Sequence, residues 1–496
     1  MGCVVAVVGG GISGLGAART LAGTGSRGAG AKVDVVLVEA DDRFGGKILS
    51  GEFRGRQLDL GPDNFLTRNP RAAELCSELG IGDDLVAPAT SSASIVARGK
   101  LHPMPAGLIL GLPPDLFALA RSRIVSVRGL ARASLDLLPW GGPISASSLG
   151  LSDGPGGPGP DRFATPNLGP EWSAASVLQR RLGTELVERL VDPLLGGINA
   201  GGLDHLSLSV VAPQVAQALV GHRSITRALN EMTRRAPART GGNATSARPF
   251  FLGLKGGLGR MVDGLVAELQ DSGVRLEANT AVTALRRVGD IYELETDAGS
   301  IAADGVVLAA PGYESARLLV DLAPTAAAEL GSIPHSSVAL VTLAWSASAF
   351  PAPLYGSGFL APRCEGRIVT GGTYLSAKWP PAAAPGEVVI RASTGRYGDE
   401  RPESMSDDDL VEAVLGDLRE LLGVSAAPLA SLVRRWPRAF PLYLPGHLRK
   451  IERTKAAIGK LPGLALAGPS LGGIGIPACL SSGERAAAEV LDRLNP

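Results

Sequence analysis

Only four cysteines occur in 496 residues, Cys3, Cys76, Cys364 and Cys479, and no two form a CxxC pair. That scarcity excludes a disulfide-stapled scaffold and a cysteine zinc site, and it fits a reduced, cytoplasmic chain. The five histidines form no ligand-spaced cluster, so no metal is expected. Net charge is also lacking, since 48 basic residues balance 48 acidic ones. No global field therefore attracts nucleic acid or an anionic membrane. The N-terminus has no basic flank, and Gly9-Gly10-Gly11 interrupts its apolar run, so neither a signal peptide nor a transit peptide is expected. Long hydrophobic runs are missing too. The longest uncharged stretch, Leu461 to Gly483, is broken by Gly468, Pro469, Gly472, Gly473, Gly475 and Pro477. It reads as a buried strand, a glycine loop and a helix start rather than a membrane span.

What is present is a long, slightly apolar globular chain, 45 % hydrophobic and rich in glycine (66) and proline (36), with length for about three domains. Cys3 to Val8 reads as a buried parallel strand, Ile12 to Leu21 as a helix and Val33 to Val38 as a second strand. Parallel strands of this kind require a crossover helix, so an α/β sheet opens the chain. Between Gly141 and Pro170, eight glycines and six prolines fill 30 positions and mark a flexible insertion. Short helices separated by Pro113-Pro114 and Gly129 are expected before it. After it, an amphipathic helix through Val177, Leu182 and Val191 should end at Pro193. Alternation from Ile291 to Ala310 predicts strands around an Asp297-Ala298-Gly299 turn. Val338 to Trp345 and Val388 to Ala392 read as further strands. Ser406 and Gly423 bracket a helix that turns Leu410, Val414, Leu418 and Leu421 inward. A last helix is expected from Ser481 to Leu494.

The chemistry begins at Gly9-Gly10-Gly11-Ile12-Ser13-Gly14, a GxGxxG directly after a strand and before a helix. Gly9 permits the turn, Gly11 lets backbone approach a pyrophosphate, and Gly14 allows close packing, with phosphate charge at the helix N-terminus. Glu39 ends the second strand 25 residues after Gly14, and a polar excursion from Gly25 to Lys32 explains the extra length. A carboxylate there accepts ribose hydroxyls and repels a 2′-phosphate.

Arg43-Phe44-Gly45-Gly46-Lys47 follows, and then Gly61-Pro62-Asp63. An acid-ended second strand followed by RxGG resembles the FAD-binding signature of the flavin monoamine oxidase superfamily, in which the arginine and the glycine backbone contact the pyrophosphate region. At the other end, Gly468 to Gly475 forms a glycine loop between a strand and a helix. Its free N–H groups and helix dipole suit the pyrimidine edge of a reduced flavin. Expected cofactor-binding positions are therefore Gly9, Gly11, Ile12, Ser13, Gly14, Glu39, Ala40, Arg43, Gly45, Gly46, Lys47, Gly61, Pro62, Asp63, Val282, Gly468, Gly473, Ile474, Gly475 and Ile476.

Further segments are similar to the HemY-type protoporphyrinogen/coproporphyrinogen oxidases. They are GPDNFL from Gly61, RGKLHPMP from Arg98, LLGGINAGGLDHL from Leu194, KGGL from Lys255, WPRAFPLYLPGH from Trp436, and Gly473 to Gly483. They run in order along nearly the whole chain. Asn199, Gly202 and Leu442 depart from the family's usual tyrosine, aspartate and glutamine, all outside the flavin signature.

The resemblance implies an α/β fold: a discontinuous Rossmann-like FAD-binding domain, a mixed-sheet substrate domain and an inserted helical subdomain. In residue terms, 1–85, 250–315 and 445–496 bind FAD; 86–110, 205–249 and 316–444 form the substrate domain; 111–204 is helical, with the Gly/Pro-rich insertion at 141–170. It also implies FAD as cofactor and a six-electron oxidation of a cyclic tetrapyrrole in heme biosynthesis, with molecular oxygen as acceptor and handover of the porphyrin to a chelatase. The stretch IGIPACLSSGERAAAEVL looks more like Gram-positive forms that use coproporphyrinogen III; protoporphyrinogen IX is the alternative. Arg98 is expected at a substrate carboxylate, with Lys100 and His102 as weaker versions of the same idea. No general base stands out. Other readings are an amine oxidase, a carotenoid-type desaturase, and a flavin-free escort protein on the same fold. The arginines among Leu108 to Leu138 leave open a peripheral contact with the inner face of the cell membrane.

Overall fold

The computed structural model of the chain describes residues 3–23, 33–138, 142–149, 151, 171–235 and 249–494. The Gly25–Lys32 excursion and most of the Gly/Pro-rich insertion lie outside the described residues.

Val4–Val8 (β1) is an unbroken apolar run, the pattern of a strand covered on both faces. It occupies the middle of a five-stranded sheet, flanked by Asp34–Val38 (β2) and then Arg275–Glu277 (β3) on one side, and by Gly305–Leu308 (β4) and then Leu464–Leu466 (β5) on the other. All four pairings are parallel. Strand alternation divides the apolar side chains between two cores. Val5 and Val7 join Leu15, Leu37 and Leu480 on one face. Ala6 and Val8 join Leu285, Tyr292, Leu294 and Leu319 on the other. The first face is covered by helices Ile12–Leu21 (α1), Gly259–Asp271 (α2) and Ile476–Leu494 (α3). The second is covered by an antiparallel sheet of Val282–Val288, Ile291–Thr296 and Gly299–Ala303.

These elements belong to one compact unit, Met1–Ala87, Arg248–Pro334 and Arg449–Pro496; the second comprises Pro88–Ala247 and His335–Leu448. Residues 316–334, expected with the substrate domain, fall in the first unit. The reason is burial: Leu318, Leu319, Ala326 and Leu330 share a core with Val306 and Leu308.

The second unit holds a seven-stranded sheet in the order Ala430–Pro441, His335–Ser346, Glu387–Thr394, Val369–Tyr374, Gly358–Leu360, Ser94–Ala97 and Lys100–Pro103. It is mixed, since Gly358–Leu360 and Ser94–Ala97 run parallel while the other pairs are antiparallel. One core packs Leu410, Val414 and Leu418 of the helix Asp407–Leu422 against Val341, Leu343 and Ile390. The Ser406 hydroxyl caps that helix by accepting from the Asp409 N–H, and Gly423 ends it at φ +71°. The helical segment is not a separate compact unit, because Ile95 and Ala97 of the sheet share a core with Leu178, Leu186 and Leu190.

Three local expectations change. Gly129 does not separate helices; it lies inside Val127–Ser134, its N–H donating to the Ser126 cap at 3.1 Å. Helix Ala174–Leu182 ends at Gly183, and Pro193 is carried through a π-helical stretch, Val187–Gly196, whose wider turn accommodates the missing N–H. The last helix starts at Ile476 rather than Ser481, with Pro477 in its first turn, where a proline removes no helical hydrogen bond.

Candidate cofactor site

Four of the sequence motifs meet around the carboxyl edge of the parallel sheet. The Gly9 N–H donates to the Val38 carbonyl at 2.8 Å, closing the turn after β1 onto β2. At Gly14 a Cβ would lie 1.8 Å from the Gly9 carbonyl oxygen, so only glycine lets α1 leave the strand this closely. Gly11 is the opposite case, because a Cβ there would meet nothing within 4 Å. Gly11 also caps α1, whose first turn holds no acidic residue of its own to compete for the N–H groups.

Glu39 closes the ring. Its Oε2 accepts the Gly10 N–H at 2.6 Å and its Oε1 accepts the Asp41 N–H at 2.9 Å. A carboxylate has about four acceptor sites, so two remain for further donors. The Glu39 backbone bridges to Glu277 and Thr280, which places Ala40 and the strand opening at Val282 beside the acid. The RxGG loop lies against the first turn, with the Gly45 N–H donating to the Gly10 carbonyl at 2.8 Å. Gly45 and Gly46 take φ +102° and +56°. The Arg43 guanidinium donates to the carbonyl oxygens of Phe44, Gly46 and Ile48, so it holds its own loop in shape. Lys47 remains solvent-accessible yet lies deep among crowded protein atoms; desolvation lowers its pKa, opposed by the nearby Cys479.

The C-terminal loop joins through α3. The buried Ser13 hydroxyl donates to the Cys479 carbonyl at 2.9 Å, and a Cβ on Gly483 would lie 1.9 Å from the Ser13 carbonyl oxygen, so α1 and α3 run in near-backbone contact. The Gly468 N–H donates to the Ser482 hydroxyl at 3.1 Å, folding the loop back onto the helix. Gly472 and Gly473 take φ +130° and +104° before α3 begins at Ile476. Ile474 and Gly475 thus lead directly into a helix N-terminus. Burial pushes the Cys479 thiol up to about 11, with Lys47 and Ser13 acting the other way, so it is a neutral packing group.

Gly61, Pro62 and Asp63 connect the hairpin Ser50–Phe53/Arg56–Asp59 to the strand Phe65–Leu66. Asp63 is buried and its Oδ1 accepts from the Asn64 amide at 2.8 Å. Sequence reasoning missed Ser50 and Asp59. Asp59 Oδ1 accepts from the Ser50 hydroxyl at 2.6 Å and from the Leu258 N–H at 2.8 Å, while the Gly259 N–H donates to Ser50. The pair pins the KGGL turn to the hairpin. An Arg54-Gly55 turn with both φ positive sets the register Ser50 opposite Asp59, and that dipeptide was the signal available.

Arg98 lies at an exposed turn in the second unit. Its guanidinium donates to the carbonyl oxygens of Ile124 (3.3 Å) and Arg123, and its N–H donates to Glu365 at 2.8 Å. Glu365 also pairs with Arg189 at 2.6 Å. The guanidinium thus anchors the hairpin to the Arg123–Ile124 backbone. Lys100 is exposed, and His102 is half-buried on the edge strand. His447 is buried against Tyr443, the rings 4.7 Å apart.

A glycine cradle open at Gly11, an acid with spare acceptors, and two helix N-termini free of acidic side chains fit a dinucleotide. The family model described as flavin containing amine oxidoreductase matches residues 12–491, and the chain belongs to that family. It is a flavin-containing oxidoreductase. It is similar over 99 % of its length to the coproporphyrinogen III oxidases of Propionibacterium freudenreichii (34 % identity, 91 % of the relative) and Bacillus subtilis (32 %, 98 % of the relative). Among solved structures, a candidate protoporphyrinogen oxidase from Exiguobacterium sp. 255-15 superimposes with a TM-score of 0.81 at 28 % identity, covering 98 % of both chains. Cyclohexylamine oxidase from Brevibacterium oxydans shares the fold, with a TM-score of 0.66 at 17 % identity over the full length of both chains. Among the described residues no helix is long and apolar enough to cross a membrane.

Proposed function

We propose that the chain binds FAD and oxidises coproporphyrinogen III to coproporphyrin III in heme biosynthesis, with molecular oxygen as acceptor and a chelatase taking the product. The full-length similarity to coproporphyrinogen III oxidases at 28–34 % identity carries the reading. The site's own geometry supports the cofactor half. When bound, the flavin supplies the two-electron oxidation, which three turnovers raise to six electrons. Gly9, Gly11 and Gly14 keep the α1 N-terminus open to a pyrophosphate. Glu39 selects unphosphorylated ribose. Arg43 keeps the RxGG loop in shape against Gly10, and the end of the glycine loop at Ile474 to Ile476 presents N–H groups to an electron-rich ring edge. A peripheral membrane contact would use Phe117 and Val127, both exposed and flanked by Arg121 and Arg128.

The test offers coproporphyrinogen III and protoporphyrinogen IX in parallel to the purified yellow protein under air and follows porphyrin fluorescence. Faster enzyme-dependent coproporphyrin formation is expected. A yellow protein inert to both would overturn the porphyrinogen reading and leave amines and polyenes.

A further inference from the structure

The second unit contains a cavity of about 250 Å³ with four arginines in its wall, Arg363, Arg367, Arg396 and Arg401, together with Tyr397 and Asp399. It has no part in the cofactor site. Two of the arginines are already matched. Arg401 holds Asp399 through two bonds of 2.7 Å, and Arg367 pairs with Asp417 and Glu420 at 3.0 Å each. The other two are not. Arg363, itself exposed, comes among the described residues no nearer to a carboxylate than 3.9 Å, at Asp204, and gives a 3.4 Å hydrogen bond to the Tyr397 carbonyl. Arg396 makes no side-chain hydrogen bond or ion pair among the described residues, and its Nε is buried without a partner.

A guanidinium normally enters such a position only with a carboxylate or phosphate on its fork, because burying the unpaired charge is costly. Around Arg396 the charges are mixed: Arg363 and Arg401 disfavour its charge, while Asp399, already held by Arg401, and Asp192 favour it without forming an ion pair. Burial, and then the neighbouring Arg363, pull the Arg396 pKa below the ordinary arginine value. Asp192 acts on both arginines, but its carboxylate accepts the Leu203 N–H at 2.8 Å and forms no ion pair with Arg396. It sits on the π-helical stretch Val187–Gly196, a wide turn of the kind often found at functional sites. The Tyr397 hydroxyl likewise has no hydrogen-bond partner among the described residues and is free to donate.

We infer that this cavity binds a small multivalent oxyanion, a diphosphate or a polycarboxylate, held by the forks of Arg363 and Arg396 with Tyr397 as a third donor. A liquid water takes about 30 Å³, so the space holds a group of several heavy atoms rather than a single solvent molecule. Two planar guanidiniums, Arg396 partly desolvated and Arg363 open to solvent, match two anionic groups on one ligand.

The flavin-loaded full chain is titrated with inorganic pyrophosphate by calorimetry at constant ionic strength, alongside Arg396→Gln and Arg363→Gln. Saturable binding, weakened at least about tenfold in each variant, is expected from loss of one charged fork. Phenylglyoxal labelling of the wild type, read by mass spectrometry, covers the case of a variant that fails to fold: pyrophosphate is expected to protect Arg363 and Arg396 but not exposed Arg121. Coproporphyrin III then separates the sources. If it displaces pyrophosphate, the oxyanions are tetrapyrrole carboxylates; if it does not, the ligand is a free phosphate compound. Absent binding, binding that is unchanged in both variants, or labelling without protection overturns the inference. None of these readouts requires porphyrinogen turnover, so failure here and failure of the proposed function are distinguishable.

Discussion

The Glu39 carboxylate and the Gly10 N–H lie 2.6 Å apart, so the acid that ends β2 supports the glycine turn from below. Glu39 thus braces the loop with Oε2 and keeps further acceptors which, on the proposed reading, take the ribose hydroxyls. Glu39→Gln keeps the shape and removes the charge. Flavin affinity is expected to fall about tenfold or more, since a charge-assisted hydrogen bond is worth roughly 1.5–3 kcal/mol. The visible flavin absorbance retained after gel filtration reads this directly. A variant as yellow as the wild type would show that Glu39 only braces the loop.

Gly11 and Gly14, three residues apart, separate folding from binding. Gly14→Ala drives a methyl to 1.8 Å from a backbone oxygen and must displace α1 from β1, so soluble yield and melting temperature should both fall. Gly11→Ala meets open space at an ordinary φ of −69°. It should melt as an apoprotein like the wild type while losing flavin, because the methyl enters the space where the pyrophosphate is expected. Equal losses of stability in the two variants would remove Gly11 from the cofactor's path.

Much of this site was legible beforehand because its requirements are local. A strand, GxGxxG, a helix and an acid-ended strand are contiguous in sequence, and α1 occupies Ile12–Leu21, the range its Leu and Ala content indicates. What was illegible depends on residues far apart in the chain. The Ser50–Asp59 pair acts on Leu258, about 200 residues away, and nothing in the local sequence announces that partner. Pro193 misled for a different reason. The rule that proline ends a helix assumes i to i−4 pairing, and a π-helical stretch evades it. Arg98 carried a motif, but the motif did not reveal that the Arg123 and Ile124 carbonyls lie within its reach.

Arg98→Ala therefore tests an anchor against a substrate clamp. Loss of two side-chain hydrogen bonds to backbone carbonyls should cost about 1 kcal/mol and lower the melting temperature by about 2 °C. The KM for coproporphyrinogen III should change less than about threefold, as expected when no substrate-bound charge is removed. A KM raised tenfold with unchanged melting would instead assign Arg98 the carboxylate role.

Cys479 and Cys364 differ in a way that alkylation can read. Cys364 is exposed, whereas Cys479 is buried beside Lys47 with its thiol pushed up to about 11. Desolvation raises the Cys364 thiol too, but Cys364 is exposed, so iodoacetamide at pH 8 should label Cys364 and spare the enclosed Cys479. The same neutrality argues against a thioether to the flavin, so acid precipitation should release all of the yellow chromophore into the supernatant. Colour retained in the pellet on a peptide containing Cys479 would contradict this.

Cys76 provides an alkaline test of the core. It is fully buried in the helix Arg71–Glu78, and burial raises its thiol from 9.0 to about 11, a shift that the Arg260 charge opposes. A thiol whose pKa is higher folded than unfolded binds more protons in the native state between those values, so stability falls as pH rises. Its contribution is therefore full below about pH 9 and lost by about pH 11. The loss is on the order of 2–3 kcal/mol, two pKa units at about 1.4 kcal/mol each. Cys76→Val fills a similar volume and cannot ionise. Its melting temperature should track the wild type up to pH 8.5 and then decline less steeply, while other alkaline groups contribute equally to both proteins. Parallel curves across pH 8–11 would mean that Cys76 reaches solvent before the core opens.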